Sequence, residues 1–298
     1  HNVLVPAIEK HRPDVVVPVD FFGFNRNTIR LAKERGVTVK YLISPQIWAS
    51  RPGRIEILKK YVDKMIVLFP FEEELYRGAG MDVAFYGHPL LDLIPEPPDT
   101  VGAPDDQRVI GLLPGSRVSE VRRHLPLYLD GVARFAETSA TPRILLFAAR
   151  SVPDQLYADI ISAANVSTDS LELVWDEGYE YRKKLDFAVT TSGTATLENA
   201  LLGIPMVVLF RTSWPTYYLA KTLIRVPYIS LVNILAQREV VPEMIQQRAT
   251  AANLAEEINC VMADPNILQA KREQLLAIRS ALGKPGVYRK IANDLLST

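Results

Sequence analysis

The chain carries a single cysteine, Cys260, in 298 residues. That excludes an intramolecular disulfide framework and a cysteine-rich zinc site, and it fits a reducing compartment. Charge of one sign is also lacking: 34 Lys and Arg balance 34 Asp and Glu. No global field therefore draws the protein to nucleic acid, which is not an expected partner. No apolar run approaches the roughly 18 residues of a membrane span, and His1 to Lys10 does not read as a signal peptide. GxGxxG after a strand and the P-loop pattern are both missing, so neither a dinucleotide fingerprint nor a P-loop is present. There is no Asp-x-Asp pair and no His/Cys/Asp cluster with zinc spacing, so neither a metal nor a cofactor is expected.

What remains is an ordinary globular composition, 48% hydrophobic and 23% charged. At roughly 150 residues per domain the length suggests two domains. Short continuous apolar runs alternate with segments of helical period. The runs are Asp14–Val19, Val37–Ile43, Lys64–Phe69 and Val83–Tyr86, then Arg108–Leu113, Arg143–Ala148, Leu171–Trp175, Asp186–Thr191 and Pro205–Phe210. Runs of this kind read as strands covered on both faces, and the alternation predicts parallel sheets with helical crossovers. Residues 25–35, closed by Gly36, and residues 118–135 read as helices, the second kinked at Pro126. PEPPDTVGAP at 95–104 cannot sustain a helix or a central strand.

The expected class is α/β with two doubly wound Rossmann-like domains. Residues 1–98 form the first, incomplete at its front because it opens on a helix-like segment. A linker spans 99–106, the second domain 107–265, and C-terminal helices 266–298, which either cross back to the first domain or reach a partner subunit.

Ligands of open parallel sheets sit beyond the carboxyl ends of the strands. Leu113-Pro114-Gly115-Ser116-Arg117 joins a strand to a helix there. Gly115 permits close backbone approach, Ser116 opens the helix, and Arg117 offers a forked cation; this is a phosphate cradle or a plain capped turn. Thr190 to Thr196 forms a second such turn, in which Ser192, Gly193 and Thr194 suit an anion or an N-cap. Glu198 either complements the helix dipole or accepts from ribose hydroxyls. Two such turns in one sheet favour a nucleoside diphosphate.

In the first domain Asp20 ends a strand beside Phe21, Phe22 and Phe24. Partial desolvation there would suit it to general-base work, whereas a helix-capping role for Asp20 or Asn25 is the plainer reading. Ser44 and Trp48 follow the next strand, with Trp48 an amphipathic wall for a sugar or acyl chain. His88, after the last strand before the linker, suits phosphate donation, acid–base work or loop ordering. Arg51, Arg54, Lys59, Lys60 and Lys64 form one basic cluster. Trp214, Tyr217 and Tyr218 interleave with Arg211, Lys221 and Arg225 in a second segment, which reads as a face for anionic lipid or an ordinary amphipathic helix.

Seven segments together resemble the lipid-A-disaccharide synthase family: VDFFGFN (19–25), YLISPQIWASRPGR (41–54), FPFEEELY (69–76), YGHPLLD (86–92), LLPGSRVSEV (112–121), TTSGTATLENALLGIPMVV (190–208) and YISLVNILAQREVVPEMIQ (228–246). The resemblance implies a GT-B fold and an inverting, UDP-sugar-dependent glycosyltransferase of lipid A biosynthesis in Gram-negative bacteria. It implies UDP-2,3-diacylglucosamine and 2,3-diacylglucosamine 1-phosphate as substrates. It also implies a cytoplasmic location peripheral to the inner membrane, contact with an anionic membrane surface, and a homodimer through exchanged C-terminal segments.

By the same resemblance Asp20 is the base. Gly115, Ser116, Arg117, Ser192, Gly193, Thr194, Glu198, Asn233 and Glu239 hold the UDP-sugar, and Asn25, Ser44, Trp48 and His88 lie on the acceptor side. Two departures stand out. Gly23 occupies a position where family members commonly carry a second acidic residue, and the family's opening strand and GETSGD loop have no counterpart. Other readings are a UDP-N-acetylglucosamine transferase or 2-epimerase of the same architecture, and a non-catalytic nucleotide-binding fragment.

Overall fold

In a computed structural model of the chain, residues 4–50, 52–97, 107–164, 166–175, 178–223 and 226–297 are described. The expected linker 99–106 lies outside them, as do Arg51 and Arg225 of the two basic segments. The chain divides into two compact units, residues 1–93 with 218–226 and 281–298, and residues 94–217 with 227–280. Two later stretches, 218–226 and 281–298, thus group with the first unit.

The first unit opens with α1 (Leu4–His11), β1 (Val15–Val16), α2 (Phe22–Glu34), β2 (Thr38–Leu42), α3 (Ile55–Tyr61) and β3 (Lys64–Val67). It continues through α4 (Pro70–Gly78), β4 (Val83–Phe85) and α5 (Leu90–Leu93). The four strands are parallel and lie in chain order, β1-β2-β3-β4. β1 is shorter than its apolar run because Pro18 interrupts pairing; Val19 rejoins the sheet through one bridge to Leu42. Ile29, Ala32, Val39, Tyr41, Leu58, Met65 and Tyr76 fill the core.

The second unit contains β5 (Val109–Leu113), α6 (Val118–Ala136), β6 (Arg143–Phe147), α7 (Asp154–Ser162), β7 (Leu171–Val174), β8 (Phe187–Thr190) and α8 (Thr194–Leu201). β9 (Met206–Phe210), α10 (Leu231–Ala236), β10 (Glu243–Ile245), α11 (Ala251–Met262) and α12 (Pro265–Ala281) follow, while α9 (Trp214–Leu223) begins in this unit and from Tyr218 on is grouped with the first. All strands are parallel in the order β10-β9-β8-β5-β6-β7. This is the doubly wound dinucleotide-fold order, with its reversal between β5 and β8. Every residue of β5 is buried, as its unbroken apolar run requires. α6 runs through Pro126 as one helix, and Val121, Leu125, Leu129, Val132 and Phe135 cover the sheet as the three–four spacing predicts. The sequence reading missed β10, whose three residues form no apolar run.

α13 (Val287–Leu296) is held at both ends within the first unit. The Asp92 carboxylate accepts the N–H groups of Gly286 (2.5 Å), Val287 (3.1 Å) and Tyr288 (2.8 Å) at its start. Near its end buried Asp294 pairs with Lys64 at 2.5 Å and Lys40 at 3.5 Å, and it accepts the Tyr86 hydroxyl.

Candidate functional site

In the second unit β5 and β8 are neighbours, with Leu113 opposite Thr190, and the amide of Thr191 continues the pairing to the Leu113 carbonyl at 3.3 Å. The Pro114–Arg117 turn and the Thr191–Gly193 turn therefore leave one sheet edge side by side, at the topological switch point where such sheets take their ligands. Each delivers a helix N-terminus, α6 and α8.

The two turns are finished differently. Gly115 sits at φ +112, and a Cβ there would lie 2.5 Å from Glu120 Oε2. Glu120 folds back over it as the third residue of α6. Its Oε2 accepts the amides of Ser116 (3.0 Å) and Arg117 (3.3 Å), and its Oε1 accepts the Arg117 guanidinium at 2.6 Å. Arg117 is otherwise 76% exposed along its side chain. At α8 the N-cap is Gly193, no side chain caps the helix, and Gly193 and Thr194 are exposed.

Ser192 departs from expectation. Its hydroxyl donates to the Ile229 carbonyl at 2.6 Å, which anchors the turn and directs the proton away from an incoming anion. Glu198 is half-buried and accepts from Arg182 at 2.6 Å and from the Tyr179 hydroxyl at 3.3 Å. Arg182 in turn lies 5.6 Å from the ring centroids of Phe147 and Tyr179.

The donor-contact expectation for Asn233 is corrected by burial: it is 0% exposed. Its Nδ2 donates to the Val241 carbonyl and Glu243, each at 2.8 Å, and its Oδ1 accepts the amides of Val240 and Val241. Asn233 braces the segment that precedes β10 and has no capacity left for a ligand. Glu239, next to that brace, is exposed.

In the first unit the sheet order lines up the ends of all four strands. Asp20 stands past β1 at φ +44, followed by Phe21 at φ +34; both are left-handed conformations that non-glycine residues seldom adopt. The Asp20 amide donates to the Leu42 carbonyl (3.0 Å), and its own carbonyl accepts from Asn25 Nδ2 (2.8 Å) and the Tyr41 hydroxyl (2.5 Å). Asn25 also donates to the Val19 carbonyl at 3.0 Å. Burial pushes the Tyr41 hydroxyl up to about 12, so it stays a donor. Asn25 thus shapes the turn that carries Asp20 and is itself buried. The expected desolvation of Asp20 is absent: it is exposed, as are Val19 (49%), Phe21 (71%) and Phe24 (58%). Those side chains form an apolar apron beside the carboxylate without enclosing it.

Ser44 and Trp48 converge on a residue the sequence reading passed over, Glu72, while His88 packs on the neighbouring Phe69. Ser44 donates to Glu72 Oε1 at 2.6 Å and the Trp48 indole N–H to the same oxygen at 3.0 Å. Trp48 meets Phe71 edge-on at 5.1 Å, Phe71 stacks on Phe69 at 5.6 Å, and His88 lies 5.4 Å from Phe69. His88 Nδ1 accepts the Leu90 amide at 3.2 Å, and burial pushes its imidazole down to about 4. Of its expected roles, loop ordering fits this geometry. Among the described residues no group of three or more His, Cys, Asp or Glu side chains is placed to hold a metal.

A family model described as lipid-A-disaccharide synthetase matches residues 1–290. The chain belongs to the lipid-A-disaccharide synthetase family. A lipid-A-disaccharide synthase of Syntrophus aciditrophicus is 39% identical to it over 97% of this chain and 76% of the relative. One of Geobacter metallireducens is 38% identical over 99% and 78%. Among solved structures, the MurG of Acinetobacter baumannii gives a TM-score of 0.63 at 13% identity, covering 98% of this chain and 76% of that one. The UDP-GlcNAc 2-epimerase of Neisseria meningitidis bound to UDP-GlcNAc gives 0.61 at 13%, covering 100% and 80%. At such identities the likeness is one of fold, two Rossmann-like domains of the GT-B type. Within this lipid-A-disaccharide synthetase family member, Glu72, Glu120 and Arg182 are the residues that sequence reasoning missed. Glu72 and Glu120 each had a local signal, a glutamate three residues after an N-cap, whereas Arg182 had none.

Proposed function

We propose that the chain is an inverting glycosyltransferase of lipid A synthesis. It transfers the sugar of UDP-2,3-diacylglucosamine to the 6-hydroxyl of 2,3-diacylglucosamine 1-phosphate, giving lipid A disaccharide 1-phosphate and UDP. The observation that carries this reading is a pair of glycine turns on adjacent strands at the switch point, in a chain of this family.

The UDP diphosphate lies across the starts of α6 and α8, with Gly115, Ser116, Gly193 and Thr194 presenting backbone and Arg117 supplying positive charge. As the bond from C1 to the diphosphate breaks, these fixed dipoles and the guanidinium take up the charge that develops on the β-phosphate. Arg117 turns from Glu120 toward the diphosphate on binding. Glu198, steadied by Arg182, accepts from ribose hydroxyls, and Glu239 lies within the donor segment. Asp20 takes the proton of the acceptor hydroxyl while its oxygen attacks C1 from the face opposite the leaving group, which inverts the anomeric centre.

The apolar apron around Asp20 supports an acyl-bearing acceptor. Trp214, Tyr218 and Leu219 of α9, exposed by 46%, 59% and 61%, support contact with an anionic lipid surface at the cytoplasmic side. Among the described residues no helix is long and apolar enough to cross a membrane.

Incubation with UDP-2,3-diacylglucosamine and 2,3-diacylglucosamine 1-phosphate tests the reading. Disaccharide and stoichiometric UDP are expected. Turnover of plain UDP-N-acetylglucosamine without disaccharide, or UDP binding without transfer, would reject it.

A further inference from the structure

Glu72 is 2% exposed, and the four donors that reach its carboxylate are all neutral. Oε1 accepts from Ser44 and Trp48; Oε2 accepts the amides of Leu68 and Phe69, each at 3.2 Å. Burial pushes the Glu72 carboxyl upward, and these bonds pull it back. A capping glutamate needs only the Phe69 amide. The bonds to Ser44 and Trp48 come from another loop, 28 and 24 residues away.

That loop is strained where it begins. Ile43, a β-branched residue, stands at φ +63 directly before Ser44, a conformation that persists only when its surroundings enforce it. Only a carboxylate offers lone pairs for four donors while carrying no hydrogen of its own; a glutamine would set an NH₂ group against two of them. The indole they orient is half-buried, packed edge-on against Phe71, with part of its surface open to solvent.

We infer that Glu72 is a positioning residue: it holds the Ile43–Trp48 turn so that the Trp48 indole forms the wall against which the sugar of the lipid acceptor packs. This rests on the acceptor role proposed for the first unit. Glu72 acts through Ser44 and Trp48 and does not touch the reacting atoms. An indole face presents a flat apolar surface of the kind a pyranose ring packs on.

The test is steady-state kinetics of the full chain with the acceptor varied at saturating donor, for wild type, Glu72→Gln, Trp48→Phe and the double variant. Glu72→Gln is expected to raise the acceptor KM about tenfold, with kcat within about twofold and UDP affinity unchanged. Trp48→Phe removes the N–H together with the five-membered ring, leaving a smaller aromatic wall, and is expected to raise the acceptor KM about threefold, while the double variant is no worse than Glu72→Gln alone. A purely structural role lowers the active fraction instead, so kcat falling with both KM values unmoved would overturn the inference. If Glu72→Gln does not fold, Trp48→Phe carries the test, and an unmoved acceptor KM there overturns it. Wild-type chain that forms no disaccharide sinks the proposed function and this inference together. Wild-type transfer with acceptor KM unmoved in the variants sinks this inference alone.

Discussion

The ends of β1 and β2 in the first unit and the ends of β5 and β8 in the second face the same problem, a chain that must turn sharply off a parallel sheet, and they solve it with different materials. At β5 the reversal falls on Gly115, and at β8 Gly193 opens α8. At β1 and β2 it falls on Asp20, Phe21 and Ile43, all at positive φ. There the conformation is enforced from outside, by Asn25 and Tyr41 on the Asp20 carbonyl and by Glu72 on Ser44 and Trp48. Glycine turns bring bare backbone close to a ligand; strained turns deliver specific side chains and hold them still. The first suits an anion met by N–H groups, the second a hydroxyl met by a positioned base.

The largest effect expected is at the strained end. Asp20→Asn keeps a residue that tolerates the left-handed region and removes the base, so kcat should fall about 10³-fold with UDP affinity unchanged, measured by disaccharide formation. Loss of less than about tenfold would make Asp20 a structural residue of its turn.

Acid should expose the same unit. His88 titrates near 4 when folded because burial disfavours its charged form, against roughly 6.5 unfolded. The unfolded chain therefore binds more protons between those values. The His88 contribution is complete above pH 6.5 and is lost as pH falls toward 4, up to about 3 kcal/mol in all. Urea titrations across that window should show His88→Gln flattening the slope. Burial also lowers His124 in the second unit, so that variant removes only part of it.

At the glycine end, Gly115→Ala places a Cβ 2.5 Å from Glu120 Oε2 at a φ that alanine avoids. It should displace Glu120, uncap α6 and cost about 2 kcal/mol by denaturant unfolding. The converse change is the smallest. Phe21→Gly relieves a left-handed phenylalanine that is 71% exposed, and should stabilise the fold by about 0.5 kcal/mol, seen as a small rise in Tm.

The positions of the strands along the chain were legible because doubly buried strands leave unbroken apolar runs, as β5 and β9 do, whereas their order in each sheet came only from the structure. Both strand-to-helix turns at the switch point were legible as turns because glycine and hydroxyl residues punctuate them between an apolar run and a segment of helical period. Three-residue β10 escaped, since its pairing partner β9 defines it more than its own composition does.

The site was less legible wherever a role depends on a distant partner. Glu72 and Glu120 occupy the same local position, third in a helix. Only the fold makes one a buried anchor for Ser44 and Trp48 and the other a half-buried partner of the exposed Arg117. Asn233 was expected at the donor only through the family resemblance, and its burial inside α10 with four internal hydrogen bonds makes it a brace. The aromatics next to Asp20 suggested enclosure, yet the left-handed turn they sit in points Phe21 outward.

The central claim is that the diphosphate of the donor is gripped where the β5 and β8 turns meet Arg117. Calorimetric titration of UDP into wild type and Arg117→Ala tests it most directly. Saturable binding that weakens about 100-fold in the variant is the predicted result, the loss expected for charge-assisted bonds to phosphate. Equal affinity in the two proteins would contradict it.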